Sequence, residues 1–99
     1  MNLDYVKNFP FEDVVQSYTS KDALFYALSV GVGADPVSAD QLRYSYEKDM
    51  MVMPAMATVL GRPGPWGADP EAAIDVGRAV YAEQSMELHQ ALPQQATIR

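Results

Sequence analysis

Two stretches rich in Gly, Pro, Asp and Ser, residues 31–41 (GVGADPVSADQ) and 62–70 (RPGPWGADP), break the chain into pieces too short for any long regular element. Glycine loosens the backbone and proline fixes it, so clusters of the two mark loops. The first stretch is not a phosphate cradle. Gly31-Val32-Gly33 lacks the preceding strand, the further glycine and the Lys-Ser/Thr pair that such a loop needs. Nor does any apolar run escape interruption by charge, Gly or Pro for the roughly 20 residues that a membrane helix requires.

Ahead of the first loop, residues 1–18 carry scattered apolar anchors from Leu3 to Tyr18 around Pro10, the pattern of an ordered lead-in. Thr19-Ser20-Lys21-Asp22 then offers a hydroxyl cap with a carboxylate three residues on. A helix is expected over 20–30. Leu24, Ala27, Leu28 and Gly31 recur at helical spacing and form its inward face, and Gly31 and Gly33 supply its exit.

Between the loops, Leu42–Glu47 alternates bulky and polar residues weakly, and Met50, Met51, Met53 and Met56 follow as a cluster. Pro54 opens and Gly61 closes a short apolar run, which predicts a helix over 54–60. Beyond the second loop the period changes to two. Ile74, Val76, Val80 and Ala82 fall on one alternating face, as do Met86 and Leu88, which predicts strands over 73–82 and 84–90. Ala91-Leu92-Pro93-Gln94 interrupts them, and 95–99 reads as the start of a further strand. Short helices followed by strands define an α+β chain.

With 99 residues and no cysteine, such a chain holds itself together by packing alone. The missing cysteines remove disulfides, thiolate zinc sites and cysteine nucleophiles together, and suit a reducing cytoplasm. A net charge of −6 with dispersed basic residues argues against binding to nucleic acid or to an anionic membrane surface. The N-terminus lacks the basic start and apolar core of a secretory signal. An unfinished strand in so small a unit leads to the expectation that the fold is incomplete without downstream sequence or a partner chain.

The segment Tyr18–Leu28, followed by Val30–Pro36, resembles the opening of the N-terminal half of MaoC-like, hydratase-2-type enoyl-CoA hydratases. That group includes the hydratase region of peroxisomal multifunctional enzyme type 2. Leu42 to Glu47, Met53-Pro54, Leu60-Gly61, Glu83-Gln84, Glu87-Leu88-His89 and Leu92-Pro93 continue the resemblance in order, so it spans nearly the whole chain. It implies two hot-dog units, each a helix wrapped by a curved antiparallel sheet. On that comparison 54–60 belongs to the first unit's central helix and 74–99 begins its sheet.

The implied reaction adds water reversibly to a trans-2-enoyl-CoA and gives the (R)-3-hydroxyacyl-CoA, with acyl-CoA as substrate and no other cofactor. The implied partners are the acyl-CoA thioester, a C-terminal hot-dog half in the same or a second chain, and further copies in a homo-oligomer. The family's Asp/His pair lies in the second unit, in a segment resembling Gly-Asp-x-Asn-Pro-Leu-His, and these residues contain no such segment. No catalytic residue is therefore expected in this chain. Many relatives place His-Gly before Glu-Gln, where this chain has Tyr81-Ala82. Tyrosine ionises far less readily near neutral pH.

The candidate substrate-binding residues are Tyr46, Glu47, Met53, Met56, Trp66 and Tyr81. Methionine adapts to irregular apolar shapes, and the aromatics offer a wall for an acyl chain. Core packing explains the methionines, Tyr44, Tyr46 and Trp66 too, and is the better supported reading because apolar clusters are more often interior than site. Glu47 matches an acidic position in the resembling segment, and with Asp49 it reads alternatively as a solvated or capping pair. His89, two residues after Glu87, shares a strand face with it, but no third ligand type accompanies them for a metal. A non-catalytic acyl-CoA-binding or assembly module and a hot-dog thioesterase are the competing functional readings.

Overall fold

A computed structural model describes residues 1–99. Helix α1 (Leu3–Lys7) leads into strand β1 (Gln16–Tyr18), helix α2 (Ser20–Ser29) and helix α3 (Ala39–Ser45). Three 3₁₀ turns follow, Pro54–Thr58, Trp66–Ala68 and Pro70–Ala72, before strand β2 (Ala96–Ile98). The architecture is a small α+β arrangement with one two-stranded antiparallel ladder. No helix is long and apolar enough to cross a membrane.

Helix α2 forms where its cap chemistry dictates. Thr19 Oγ1 accepts from the Asp22 N–H, and Asp22 Oδ2 accepts from the Thr19 N–H at 2.8 Å, so two orphan donors of the first turn are satisfied reciprocally. These hydrogen bonds from the Thr19 backbone and hydroxyl, with Lys21 adjacent, hold the Asp22 carboxyl below the usual carboxylate range. At the other end Gly31 adopts φ +89°, the Val32 N–H donates to Ala27 O at 3.0 Å, and the Gly31 N–H donates to Leu28 O. That double closure with a left-handed glycine is a Schellman stop.

The inward face of α2 keeps Ala27 and the half-buried Leu24 of the expected set but turns Ala23 inward in place of Leu28. Ala23 and Ala27 are buried, while Leu28 and Phe25 are exposed. Ala23 lets the helix lie close against Tyr18, Met50, Val52 and Met56, with Leu24 and Tyr26 half-buried beside them. The helix is thus rolled by one position from the leucine stripe.

The stretch 31–41 is a loop only as far as Ser38, whose hydroxyl caps α3 by accepting from the Gln41 N–H. Gln41 Oε1 reaches back to accept from the N–H groups of Gly33 and Asp35 at 2.8 and 3.2 Å, which ties the loop to α3. Gly33 is required there. At φ +95°, a Cβ would also sit 3.0 Å from Ser45 Oγ. The predicted helix over 54–60 is instead a 3₁₀ turn at Pro54–Thr58, closed when Thr58 Oγ1 donates to Ala55 O. Its backbone bonds, from the Met56 N–H to Met53 O and from the Val59 N–H to Met56 O, span three residues, the spacing of a 3₁₀ turn.

The strands expected over 73–82 and 84–90 are not formed. From Ala79 to Pro93 the backbone makes no hydrogen bond to other backbone, and residues 75–91 are all exposed. Alternation states that one face can be buried, but a strand also needs a neighbour to complete its ladder. The ladder that forms joins β1 to β2, with Gln16 opposite Ile98 and Tyr18 opposite Ala96. The expected strand start over 95–99 is the β2 of this pair.

Around the ladder, side chains close long loops. Tyr18 Oη donates to Pro93 O at 2.7 Å, Gln94 Nε2 donates to Met50 O, and the Gly61 N–H donates to Gln16 Oε1. Desolvation raises the Tyr18 phenol above its ordinary pKa. Arg99 meets Asp13 at the ladder's end. The core is Tyr18, Ala23, Met50, Val52 and Met56, flanked by Leu60, Leu92, Ala96 and Ile98.

A second, smaller packing centre holds the N-terminus. Asn2 caps α1, its N–H donates to Ala72 O, and Tyr5 Oη donates to Asp69 Oδ2 at 2.9 Å. That hydrogen bond to a carboxylate raises the Tyr5 pKa. Phe9 and Phe11 pack their rings on Trp66, with centroids 5.8 and 5.5 Å away.

The whole exposes 7780 Å², against about 5,600 Å² for a compact monomer of this mass. Its radius of gyration is 17.0 Å, where about 13 Å is usual. Residues 75–91, all exposed, contribute to that surplus.

Candidate functional site

The largest concavity is a trough of about 910 Å³ between the turn 57–67 and the stretch 74–84. Pro54–Thr58 and Gly61 bring Leu60 to one wall, Gly61 turning the chain at φ +58°. Pro63 and Pro65 stiffen the next stretch, which carries Trp66. Ile74, Val76 and Tyr81 from the stretch 74–84 complete the lining. Of the six candidate residues, this trough brings together Trp66 and Tyr81.

Trp66 is half-buried because its ring is shared between the trough and the Phe9–Phe11 cluster. Tyr81 stands 80% exposed, so its ring is no part of the core. The remaining candidates lie elsewhere. Glu47 borders a depression of about 230 Å³ with Lys21 and Met50, and Met56 is a buried core residue that also touches a cavity of about 300 Å³ beside Phe25 and Val59. Tyr46 is exposed, Met53 is half-buried at the start of the Pro54–Thr58 turn, and neither lines a cavity. A further groove of about 580 Å³ runs between Phe9–Val14 and Pro63–Asp69 on the other side of Trp66.

The trough's lining is mainly apolar, with Arg62 as its one charged side chain and Thr58 and Gln84 as further polar groups. No imidazole or carboxylate reaches it. The lining combines apolar walls, two aromatic faces and one permanent cation. His89 lies outside it, 3.8 Å from Glu87 Oε1 and exposed, and no third His, Cys, Asp or Glu joins the two as a ligand group. Glu47 and Asp49 also stay apart from the trough, and Asp49 takes a left-handed turn position at φ +53°.

Sequence reasoning missed Leu60, Arg62, Ile74 and Val76 as trough residues. Ile74 and Val76 carried a signal, the alternating apolar pattern. Arg62 carried none beyond its place between Gly61 and Pro63.

Residues 16–99 match the family model described as the MFE-2 hydratase 2 N-terminal domain. The chain belongs to this family, and it is an N-terminal portion of the hydratase-2 type. No solved structure matches it.

Proposed function

We propose that this chain is the non-catalytic, substrate-accommodating part of an enzyme that hydrates trans-2-enoyl-CoA to (R)-3-hydroxyacyl-CoA. The observation that carries the reading is the family match over residues 16–99. The trough supports it with a volume of about 910 Å³ and the rings of Trp66 and Tyr81 among its lining. An acyl chain laid there would gain by removing apolar surface from water, at about 25 cal/mol per Å².

Hydration also requires an acid or base to move a proton and donors for the thioester oxyanion. The trough offers neither an imidazole nor a carboxylate, so the proposal assigns proton transfer to a second hot-dog unit that completes the first. The chain's surface exceeds that of a compact monomer by roughly 2,000 Å², while a standard interface covers about 800 Å² on each partner. The exposed stretch 75–91 has both the apolar residues and the free backbone groups to join such a sheet.

The test combines the chain, in one polypeptide or as a second one, with the catalytic half of a hydratase-2 enzyme. Loss of enoyl absorbance is expected with trans-2-enoyl-CoA substrates. Absence of hydration across short, long and bulky acyl groups overturns the assignment. The missing acid-base pair favours a second reading, a non-catalytic acyl-CoA-binding or assembly module. That reading predicts saturable heat on calorimetric titration with acyl-CoA and no turnover by the completed protein.

A further inference from the structure

We propose that the trough takes a ligand in which an apolar chain carries an anionic group, and that Arg62 is the residue that meets the anion. This rests on the acyl-ligand reading of the same trough and adds to it a specificity-determining contact.

Three observations converge on Arg62. It is the trough's one charged side chain. Arg43 and Arg99 each have a carboxylate within ion-pair distance, Asp40 and Asp13, whereas Arg62 has none. Among the arginines it shares this condition only with Arg78, and Arg78 lies outside the trough. Its backbone is also constrained on both sides. Gly61 sits at φ +58° with its N–H held by Gln16 Oε1 at 2.8 Å, and the residue before a proline is restricted to extended conformations. The guanidinium therefore leaves a fixed turn at the edge of apolar walls.

A guanidinium keeps its charge at all relevant pH values and offers a planar fork of donors that fits a carboxylate or a phosphate. Covering the trough with a neutral ligand would strip water from that cation and give it no partner. A ligand with its own anion satisfies it instead. The chain's net charge of −6 sharpens the choice, since its long-range field repels anions and leaves local pairing at Arg62 to retain them. The anion has two chemical sources, a carboxylate on the apolar chain or a phosphate of the thioester's carrier.

Trp66 is the only tryptophan and lines both the trough and the groove beside Phe9–Val14, so its fluorescence reports a ligand at either. The Arg62 variants tell the two apart because Arg62 lines the trough alone. The full chain is titrated with decanoate, methyl decanoate and decanoyl-CoA. Arg62→Ala is expected to weaken at least one of the two anionic probes about tenfold, the worth of one charge-assisted hydrogen bond, and to leave the methyl ester unchanged. Arg62→Lys, which keeps the cation, restores part of the loss. Weakening confined to decanoate identifies a chain carboxylate as the source, and weakening confined to decanoyl-CoA identifies the carrier phosphate.

The inference is overturned if Arg62→Ala weakens neither anionic probe, or weakens the ester equally. Circular dichroism of both variants guards against loss of fold, and a loss of binding that Arg62→Lys does not recover counts against the charge role. If none of the three probes changes Trp66 fluorescence in the unmodified chain, the acyl reading of the trough falls together with the role of Arg62. Saturable binding of the ester without any Arg62 effect removes the role of Arg62 alone.

Discussion

The lobe around Met56 and the stretch 75–91 are made of similar material. Both carry valine, methionine and tyrosine among polar residues. In the lobe, Met50, Val52 and Met56 are buried against Tyr18 and Ala23, and side chains such as Gln16 and Gln94 tie segments distant in sequence. In the stretch, Val80 is 87% exposed and the backbone from Ala79 to Pro93 has no backbone partner. Apolar content does not separate them. The difference is that the lobe closes on itself through long-range hydrogen bonds, while the stretch leaves its apolar side chains and its peptide groups to water.

The largest test of this contrast is Met56→Ala. Met56 is 3% exposed at the centre of the lobe, and truncation leaves a cavity as well as losing transfer energy. A loss of about 2–5 kcal/mol is expected in urea unfolding. A change near zero would mean that the lobe is no better packed than the stretch.

Tyr18→Phe comes next. The phenol bonds to Pro93 O, at the point where the chain returns from the stretch to the lobe. Removing it is expected to cost about 1 kcal/mol and to speed amide exchange at Ala96 and Ile98. Unchanged exchange there would show that the ladder is held without this tie.

What was legible in the sequence follows the same division. Helix α2 could be read because its cap, Thr19 to Asp22, and its glycine stop are both local. Helix α3 carried a local signal too, Ser38 followed three residues later by Gln41, but it lay inside a Gly- and Pro-rich stretch that reads as loop. Which side of α2 turns inward was not legible, since Ala23/Ala27 and Leu24/Leu28 both recur at helical spacing and the tertiary partner decides between them. β1 has three residues and pairs across almost the entire chain, a match that periodicity does not encode. In the candidate site, Trp66 and Tyr81 come together across the loop at 62–70, while Tyr46, Glu47, Met53 and Met56 do not, because residue type predicts neither direction nor neighbour.

A smaller effect concerns pH. The Thr19 hydrogen bonds lower the Asp22 pKa in the folded state, so the folded chain favours the carboxylate. Its contribution to stability is present above the unfolded pKa of about 3.9 and is lost as pH falls through the lower folded value. Asp22→Asn is therefore expected to flatten the acid limb of the stability curve while leaving the slope at neutral pH unchanged. An unaltered acid limb would show that the capping box contributes nothing through its charge.

The smallest expected effect is in the stretch itself. Val80→Asp places a charge on a side chain that contacts water almost completely, so the stability of the chain by itself is expected to change by no more than about 0.5 kcal/mol. Amides from Ala79 to Leu92 are expected to exchange almost without protection, because they lack backbone acceptors. A loss well above 1 kcal/mol would mean that Val80 is packed inside the lone chain, and the contrast with the lobe would collapse. If a complementary hot-dog unit covers this stretch, the same substitution should weaken that association far more than it alters the chain's own unfolding, because a buried carboxylate without a partner is costly where an exposed one is not. Measuring both quantities on one variant therefore separates surface that is simply exposed from surface that is held for a partner.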